Sequence, residues 1–172
     1  MITLFEVDKS GCEIFEKDYS IAIVKNKEVV YGINVPQNIR DILLHLFNSR
    51  QIKMNSTNSR KEKLRFKIRT HVSLIIYLIR EAIKEMGYVD KIRIEICNDI
   101  DGHFNEIKDM IYKNLCKLIP TLEFDDIVQT KFSKTSLVDK AAKNLRERNK
   151  EQIINYIIPK INIDELIKLI KK

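Results

Sequence analysis

The sequence predicts a mixed α/β fold in which helices cover a five-stranded sheet. The first 35 residues hold three short apolar segments separated by tight polar breaks, which is typical of an antiparallel meander. Beyond them, segments with helical apolar spacing alternate with strand-like segments, as crossover connections require. The predicted order is β-β-β-α-β-α-β-α, with an extra short helix after the third strand and a helical tail.

The opening meander is delimited by turn-forming residues. Lys9, Ser10 and Gly11 form a turn after the first strand, and Pro36 stops the third strand. The apolar runs place the three strands at residues 2–8, 19–24 and 28–35.

Two helices are predicted next, with a basic stretch between them. The first is short, and the second runs over residues 67–86 until Gly87, a natural helix stop. Residues 50–69 are polar and carry eight basic residues and one acidic residue. The short helix is predicted from one shared face, formed by Ile39, Ile42, Leu43 and Leu46.

The second half of the chain supplies two strands and three helices. Residues 91–97 alternate strictly, so that the isoleucines face one way and Arg93, Glu95 and Cys97 the other. The remaining elements are a helix over 104–118, a strand over 126–132, a helix over 136–148 and a tail helix over 163–169.

The chain divides into one domain and one appendage. Residues 1–148 are predicted to form the domain, and residues 149–172 a C-terminal helical extension packed on it. The extension carries an apolar stripe that can dock on its own core or on a second chain, so a homo-oligomer through this helix is one prediction. The stripe consists of Ile163, Leu166, Ile167 and Ile170.

Composition narrows the class of protein. Apolar residues make up 44% and charged residues 32%, which is typical of a soluble globular chain. The longest apolar run, residues 72–79, is far shorter than the roughly 20 residues of a membrane span. Three widely spaced cysteines suggest reduced thiols and a cytoplasmic protein. The bias to 29 Ile and 22 Lys against 4 Ala fits an AT-rich genome, such as that of a methanogenic archaeon.

This element order resembles the ribonuclease H-like superfamily over residues 1–148. The opening stretch Val7-Asp8-Lys9-Ser10-Gly11, followed by a strand, is similar to uncharacterised archaeal and bacterial families of that superfamily. Their first strand often ends in Asp-Glu-Ser-Gly.

The resemblance implies a metal-dependent nuclease that hydrolyses phosphodiester bonds with two Mg²⁺ or Mn²⁺ ions. In the superfamily, acidic side chains from the first strand, the fourth strand and the last helix hold the ions, which activate water and stabilise the leaving oxygen. The candidate metal ligands and catalytic residues here are Asp8, Glu95, Asp99, Asp101 and Asp139.

Each strand acid also has a purely structural interpretation. Asp8 can start a turn by hydrogen bonding to nearby backbone. Glu95 can be a solvent-facing strand residue, and Glu6, which shares a face with Asp8, is predicted to be an exposed strand residue.

The other candidate acids have structural alternatives as well. Asp99 and Asp101 fit a turn followed by a helix cap. Asp139 lies three residues after Ser136 in a near capping box, where the helix dipole favours an anion.

The net charge of +7 favours a polyanionic partner, and the basic residues are clustered. Contacts from such clusters to phosphates would be salt-sensitive and independent of sequence, and Phe66 could stack on a base. The alternative is a solvated first turn of the long helix. The predicted nucleic-acid contacts are Arg60, Lys61, Lys63, Arg65, Lys67, Arg69, Lys140 and Lys143.

Two functions therefore follow from the sequence. One is a nuclease acting on RNA, DNA or a hybrid. The other is a non-catalytic member of the same fold that binds nucleic acid or a protein, because Lys9 stands where the related families often carry a second acid. Neither function involves a membrane.

Overall fold

A computed structural model of the chain describes residues 2–11, 13–16, 18–55, 58–87, 91–97, 102–147 and 156–172. The strands are β1 Ile2–Ser10, β2 Ser20–Lys25, β3 Val29–Asn34, β4 Lys91–Cys97, β5 Ile127–Thr130 and β6 Tyr156–Ile157. The helices are α1 Gln37–Asn48, α2 Ser59–Met86, α3 Phe104–Leu115, α4 Leu137–Glu147 and α5 Ile163–Lys171.

The strands form one mixed sheet in the order β5-β4-β1-β2-β3-β6. Strand β2 runs antiparallel to β1 and β3, whereas the pairs β1–β4, β4–β5 and β3–β6 are parallel. The predicted mixed α/β fold is confirmed at this level. The predicted count of five strands is wrong, because the described residues contain six.

The sixth strand comes from the segment predicted to be a purely helical extension. Tyr156 and Ile157 pair with Val30 and Tyr31 along the outer edge of β3. A short apolar run cannot be distinguished from a buried helix by periodicity alone. The open hydrogen-bonding edge of β3 decides the conformation here, because edge strands readily pair with another segment.

The hairpin between β2 and β3 explains the tight meander. Asn26 and Lys27 both have positive φ angles, of 49° and 60°, as the two central residues of a type I′ turn require. The Asn26 side chain also accepts a hydrogen bond of 2.8 Å from the backbone N–H of Leu4. The turn is therefore fastened to β1 as well as joining β2 to β3.

Helix α2 is longer than its apolar pattern predicts. It begins at Ser59, eight residues before the predicted start, because Asn58 caps it by accepting hydrogen bonds from the N–H groups of Arg60 and Lys61. It ends at Gly87, as predicted, where φ is 71°. No helix among the described residues is long and apolar enough to cross a membrane.

The two faces of the sheet bury different clusters. On one face, β-strand residues such as Phe5, Val7 and Ile94 belong to a core shared with α2 and α3, and α5 packs on α2. On the other face, Ala22, Val24 and Val30 pack under α4. Since α4 contacts β1, β2 and β3, the part of this face on β4 stays partly exposed.

Hydrogen bonds from the sheet side hold helix α4 in place. Ser20 Oγ donates to the Ala142 carbonyl at 2.5 Å, Asn34 Nδ2 donates to the Leu145 carbonyl at 3.1 Å, and the Tyr156 hydroxyl donates to the Ala141 carbonyl at 3.1 Å. Ser20 begins β2 and Asn34 ends β3, so α4 runs from the β1 side of the sheet toward β3.

The tail helix α5 packs on α2 within the same chain. Asn162 caps it, and the Tyr77 hydroxyl of α2 donates to the Lys160 carbonyl at 2.7 Å. Leu166 and Ile170 of the predicted apolar stripe are fully buried. The stripe thus docks on its own core, and the homo-oligomer through this helix stays a prediction.

We expect Gly32→Ala to destabilise the fold through contact with α4. A Cβ at Gly32 would lie 2.1 Å from Leu145 Cδ1 and 3.2 Å from the Ile21 carbonyl oxygen. Overpacking of this kind costs about 1–3 kcal/mol of unfolding free energy. Urea unfolding should show this loss for Gly32→Ala.

The double-mutant cycle with Leu145→Ala is the control for this contact. The combined variant should lose less stability than the sum of the two single variants, because the clash is gone. A Gly32→Ala protein that unfolds at the wild-type urea concentration would contradict the packing described here.

The buried His71 should make stability fall in acid. Burial in α2, and then the charge of Lys9, lower the pKa of His71 from 6.5 to about 3, and the Tyr19 hydroxyl contacts its Nδ1. Below about pH 6.5 the His71 imidazole binds a proton in the unfolded chain but stays neutral in the folded chain. Stability is therefore complete above that pH and declines as the pH falls toward 3.

The expected loss between pH 7.5 and pH 5 is about 2 kcal/mol of unfolding free energy, measured by urea unfolding. His71→Gln should reduce this pH dependence, because the variant has nothing to titrate there. His45→Gln, at an exposed position of α1, is the matched control and should keep it. An unchanged pH dependence in His71→Gln would refute the assignment.

Candidate functional site

Asp8 lies near the end of β1 with its side chain in a buried position. The residue is only 6% exposed, and its Oδ1 accepts a hydrogen bond of 2.8 Å from the Lys9 N–H. This local bond agrees with the turn-forming interpretation of Asp8. The position also places a carboxylate at the carboxyl end of a central strand.

Glu95 of β4 lies directly beside Glu6 of β1. The two residues are register partners in the parallel pair of strands, so their side chains share one face of the sheet. Arg93 Nε donates to Glu95 Oε1 at 3.0 Å. Asp8 follows Glu6 by two residues, and alternation along β1 puts it on this same face. The structure thus brings Asp8, Glu6 and Glu95 to one face of two adjacent strands.

Glu6 is half-buried rather than the exposed strand residue that was predicted. Burial raises its pKa above the ordinary value of 4.5, Lys27 opposes the rise, and the neighbouring charge of Glu95 adds to it. Sequence reasoning missed this pairing of acids. The alternation of Glu6 with Asp8 was visible, but the parallel register of β1 with β4 was not.

Asp139 lies in the first turn of α4, as predicted. Its N–H donates to Ser136 Oγ at 3.2 Å, so the predicted capping role of Ser136 is confirmed. Because α4 runs from the β1 side toward β3, its first turn lies at the end of the helix nearer to Asp8 and β4. The helix that carries Asp139 therefore packs on the face that carries Asp8 and Glu95.

The described residues do not display a complete metal centre. Asp99 and Asp101 lie outside the described residues. Among those that the structure describes, no group of three or more His, Cys, Asp or Glu side chains is arranged to hold a metal ion. The two-metal site with Mg²⁺ or Mn²⁺ therefore stays a prediction.

The predicted basic segment is the first part of α2, and its cations divide into two sets. Arg65 donates to the Asn55 carbonyl, Lys67 pairs with Glu13, and Arg69 Nη1 donates to the Ile170 carbonyl at 3.4 Å. These three bind within the chain. The other three are exposed: Arg60, Lys61 and Lys63.

Phe66 cannot stack on a base, contrary to the prediction. Its ring is 0% exposed and lies parallel to those of Phe15 and Phe47, with centroid separations of 4.9 and 4.4 Å. Because α2 begins before residue 60, the helical phase turns Phe66 toward the core. The three stacked rings instead fix the start of α2 against α1 and the β1–β2 connection.

A basic groove surrounds the exposed cations. Two adjoining clefts, of about 840 and 430 Å³, share Arg50 and Glu62. Arg50 Nη1 contacts both carboxylate oxygens of Glu62, at 2.8 and 2.7 Å, so this buried acid is neutralised. The groove is defined here by Arg50, Lys53, Arg60, Lys61, Lys63 and Arg65.

The connection that follows β1 contacts α2 just beyond the basic groove. Phe15 and Glu13, in the connection that follows β1, contact Phe66 and Lys67 of α2. Lys140 and Lys143 are exposed on α4, across the sheet from α2. Basic side chains therefore lie on helices at both faces of the sheet.

Comparisons of the chain with protein-family models, curated proteins and solved structures find no match.

Proposed function

We propose that the chain is a metal-dependent nuclease of the ribonuclease H-like type. One observation carries the proposal: Asp8 and Glu95 share a face of two neighbouring parallel strands, and the helix bearing Asp139 packs on that face. These are the three places, namely first strand, fourth strand and last helix, from which the superfamily draws its metal ligands.

The sheet order supports the same proposal. The meander β1–β2–β3 lies on one side of β1, and β4 and β5 lie on the other. The fourth strand is therefore hydrogen-bonded to the first, although α1 and α2 intervene in the chain. This arrangement is the one that a ribonuclease H-like domain needs to bring its acids together.

The proposed ligands are of the chemical type that suits a hard divalent cation, and the described ones alone do not complete its site. Carboxylate oxygens are the donors that Mg²⁺ and Mn²⁺ prefer. The proximity of Glu95 contributes to the raised pKa of Glu6, so these neighbouring carboxylates repel each other, and a bound cation would relieve that repulsion. When bound, such ions supply water activation and charge stabilisation in phosphodiester hydrolysis.

The chain's own residues would hold and orient these groups. Asp8, fixed by the Lys9 N–H, presents a carboxylate at the end of β1, and Glu95 is oriented by Arg93. The basic groove would hold the phosphate backbone beyond the β1 edge. Asp139, together with Asp99 or Asp101, would complete the ligand set.

Asp8→Asn should abolish cleavage without unfolding the protein. The carboxamide keeps the size of the side chain and an oxygen for the Lys9 N–H, but it removes the charge that a metal needs. The purified chain with Mg²⁺ or Mn²⁺ should cleave at least one of labelled RNA, DNA or hybrid. The cleavage rate of the variant should fall about 100-fold or more. This is a larger fall than the ~10–100-fold loss typical of changing a residue that only supports a metal ligand.

Asp125→Asn is the matched control, because Asp125 is exposed and pairs only with Lys108 among the described residues. It should cleave like the wild type. A wild-type chain that neither cleaves any of these substrates nor binds Mn²⁺ in a calorimetric titration would overturn the proposal.

A second candidate function is nucleic-acid binding without cleavage, and the basic groove favours it. Its exposed cations would neutralise phosphates, so binding should weaken steeply with salt. Lys61→Ala/Lys63→Ala should reduce affinity for single-stranded and duplex probes and flatten the dependence of log K on log salt by about 1 per lost contact.

Lys113→Ala/Lys117→Ala, with one lysine on α3 and the other in the turn that follows it, is the matched control and should leave the salt dependence unchanged. Fluorescence anisotropy between about 50 and 200 mM salt measures both variants. Affinity that does not change with salt would exclude phosphate contacts by the groove and direct attention to a protein partner.

A further inference from the structure

A cavity of about 410 Å³ lies at the carboxyl end of β3, at the opposite end of α4 from Asp139. This volume is within the range of small-molecule sites. Side chains from β3, α1, α4 and β6 line it. In open α/β sheets, ligands bind outside the carboxyl ends of strands, which is where this cavity lies.

The local fold explains why space remains there. Strand β6 pairs only with Val30 and Tyr31, while β3 continues to Asn34. Among the described residues, the end of β3 therefore has a neighbouring strand only on the β2 side, where Asn34 pairs with Ser20. Leu145 of α4 packs against Gly32. The cavity is the space that remains between α4, the start of α1 and Ile158.

A buried cation lines this cavity. Arg40 of α1 is 3% exposed, although removing a guanidinium from water is costly unless anions or acceptors surround it. Its Nη2 donates to Gln37 Oε1 at 2.5 Å, and Gln37 Nε2 donates to Asp41 Oδ1 at 2.7 Å. A guanidinium has five N–H donors in a planar fork, so it can hold protein acceptors and a ligand oxygen together.

The remaining lining has one polar and one apolar part. Asn34 and Asn144 contribute carboxamide groups to the lining. The Nδ2 of Asn34 donates a hydrogen bond to the Leu145 carbonyl. Pro36, Leu145 and the Tyr156 ring supply apolar surface. The combination of a buried charge, few polar groups and an apolar wall is typical of sites for small organic ligands.

The charges in the described lining favour a small ligand over a polyanion. Exposed Asp18 belongs to the same lining as buried Arg40. One cation with one acid gives no net positive charge to attract a long polyanion such as nucleic acid. A ligand with a single anionic group needs only the one cation, Arg40.

We propose that this cavity binds a small organic anion, with its carboxylate or phosphate group on Arg40 and its apolar or planar body against Pro36, Leu145 and Tyr156. The site is separate from the acidic face and does not depend on the proposed nuclease function. Carboxylates and phosphate monoesters share the chemistry that the Arg40 fork recognises.

Isothermal titration of the full chain tests the proposal with three probes: adenosine 5′-monophosphate, benzoate and inorganic phosphate. We expect at least one organic anion to bind with a Kd below about 1 mM and at least about 10-fold more tightly than inorganic phosphate, since the apolar wall adds to the charge contact. Binding of the nucleotide alone identifies a phosphate ligand, and binding of benzoate alone identifies a carboxylate ligand.

Asn144→Phe fills the cavity from α4 and should weaken binding about 10-fold or more. Its matched control, Asn105→Phe on an exposed position of α3, should bind like the wild type. Arg40→Gln should also weaken binding. A thermal unfolding transition of the Arg40→Gln variant shows that this variant is folded. Asp8→Asn should leave binding unchanged, which distinguishes this site from the proposed nuclease site.

Three results would overturn the proposal. One is the absence of binding by both organic anions at 5 mM, about five times the expected upper limit for Kd. Another is equal affinity of Asn144→Phe and wild type for the organic anion. The third is inorganic phosphate binding as tightly as the tighter of the two organic probes, because the apolar wall would then contribute nothing.

Discussion

The two-sided hydrogen bonding of β1 is the constraint on which the rest of the structure depends. This strand pairs antiparallel with β2 from Phe5 to Ser10 and parallel with β4 from Ile2 to Val7. Its register places alternate side chains on opposite faces, so Phe5 enters the large core while Asp8 faces the α4 side. A slip by one residue would exchange the two sets and destroy both the core and the acidic face.

The unequal covering of the two faces turns this constraint into candidate sites. On the α2 side, helices bury the apolar surface of the large core. On the other side, α4 covers β1 to β3, so Glu95 of β4 stays accessible beside its partner in β1. The acidic face and the Arg40 cavity lie at opposite ends of α4, and the sheet hydrogen bonds that fix this helix position both.

Much of the fold could be predicted because its signals are local. Strict alternation gave residues 91–97 as a strand with the same limits that the structure shows, and Gly87 marked the end of α2. The start of α2 was placed too late, since the basic residues before 67 hide the helical pattern and Asn58 is a short signal. Strand β6 was missed because its conformation is decided by the edge of β3, a partner far away in the sequence.

The sequence by itself determined the mixed α/β class, the positions of five strands and of the helices apart from the start of α2, and the acidic and basic character of their surfaces. Periodicity carries these features because each depends on residues within one element. Only the tertiary structure decided that Glu95 lies beside Glu6, that Phe66 is stacked in the core and that Arg40 lines a cavity. These placements depend on strand register and helix docking, which are set by contacts between distant segments that one-dimensional patterns do not encode.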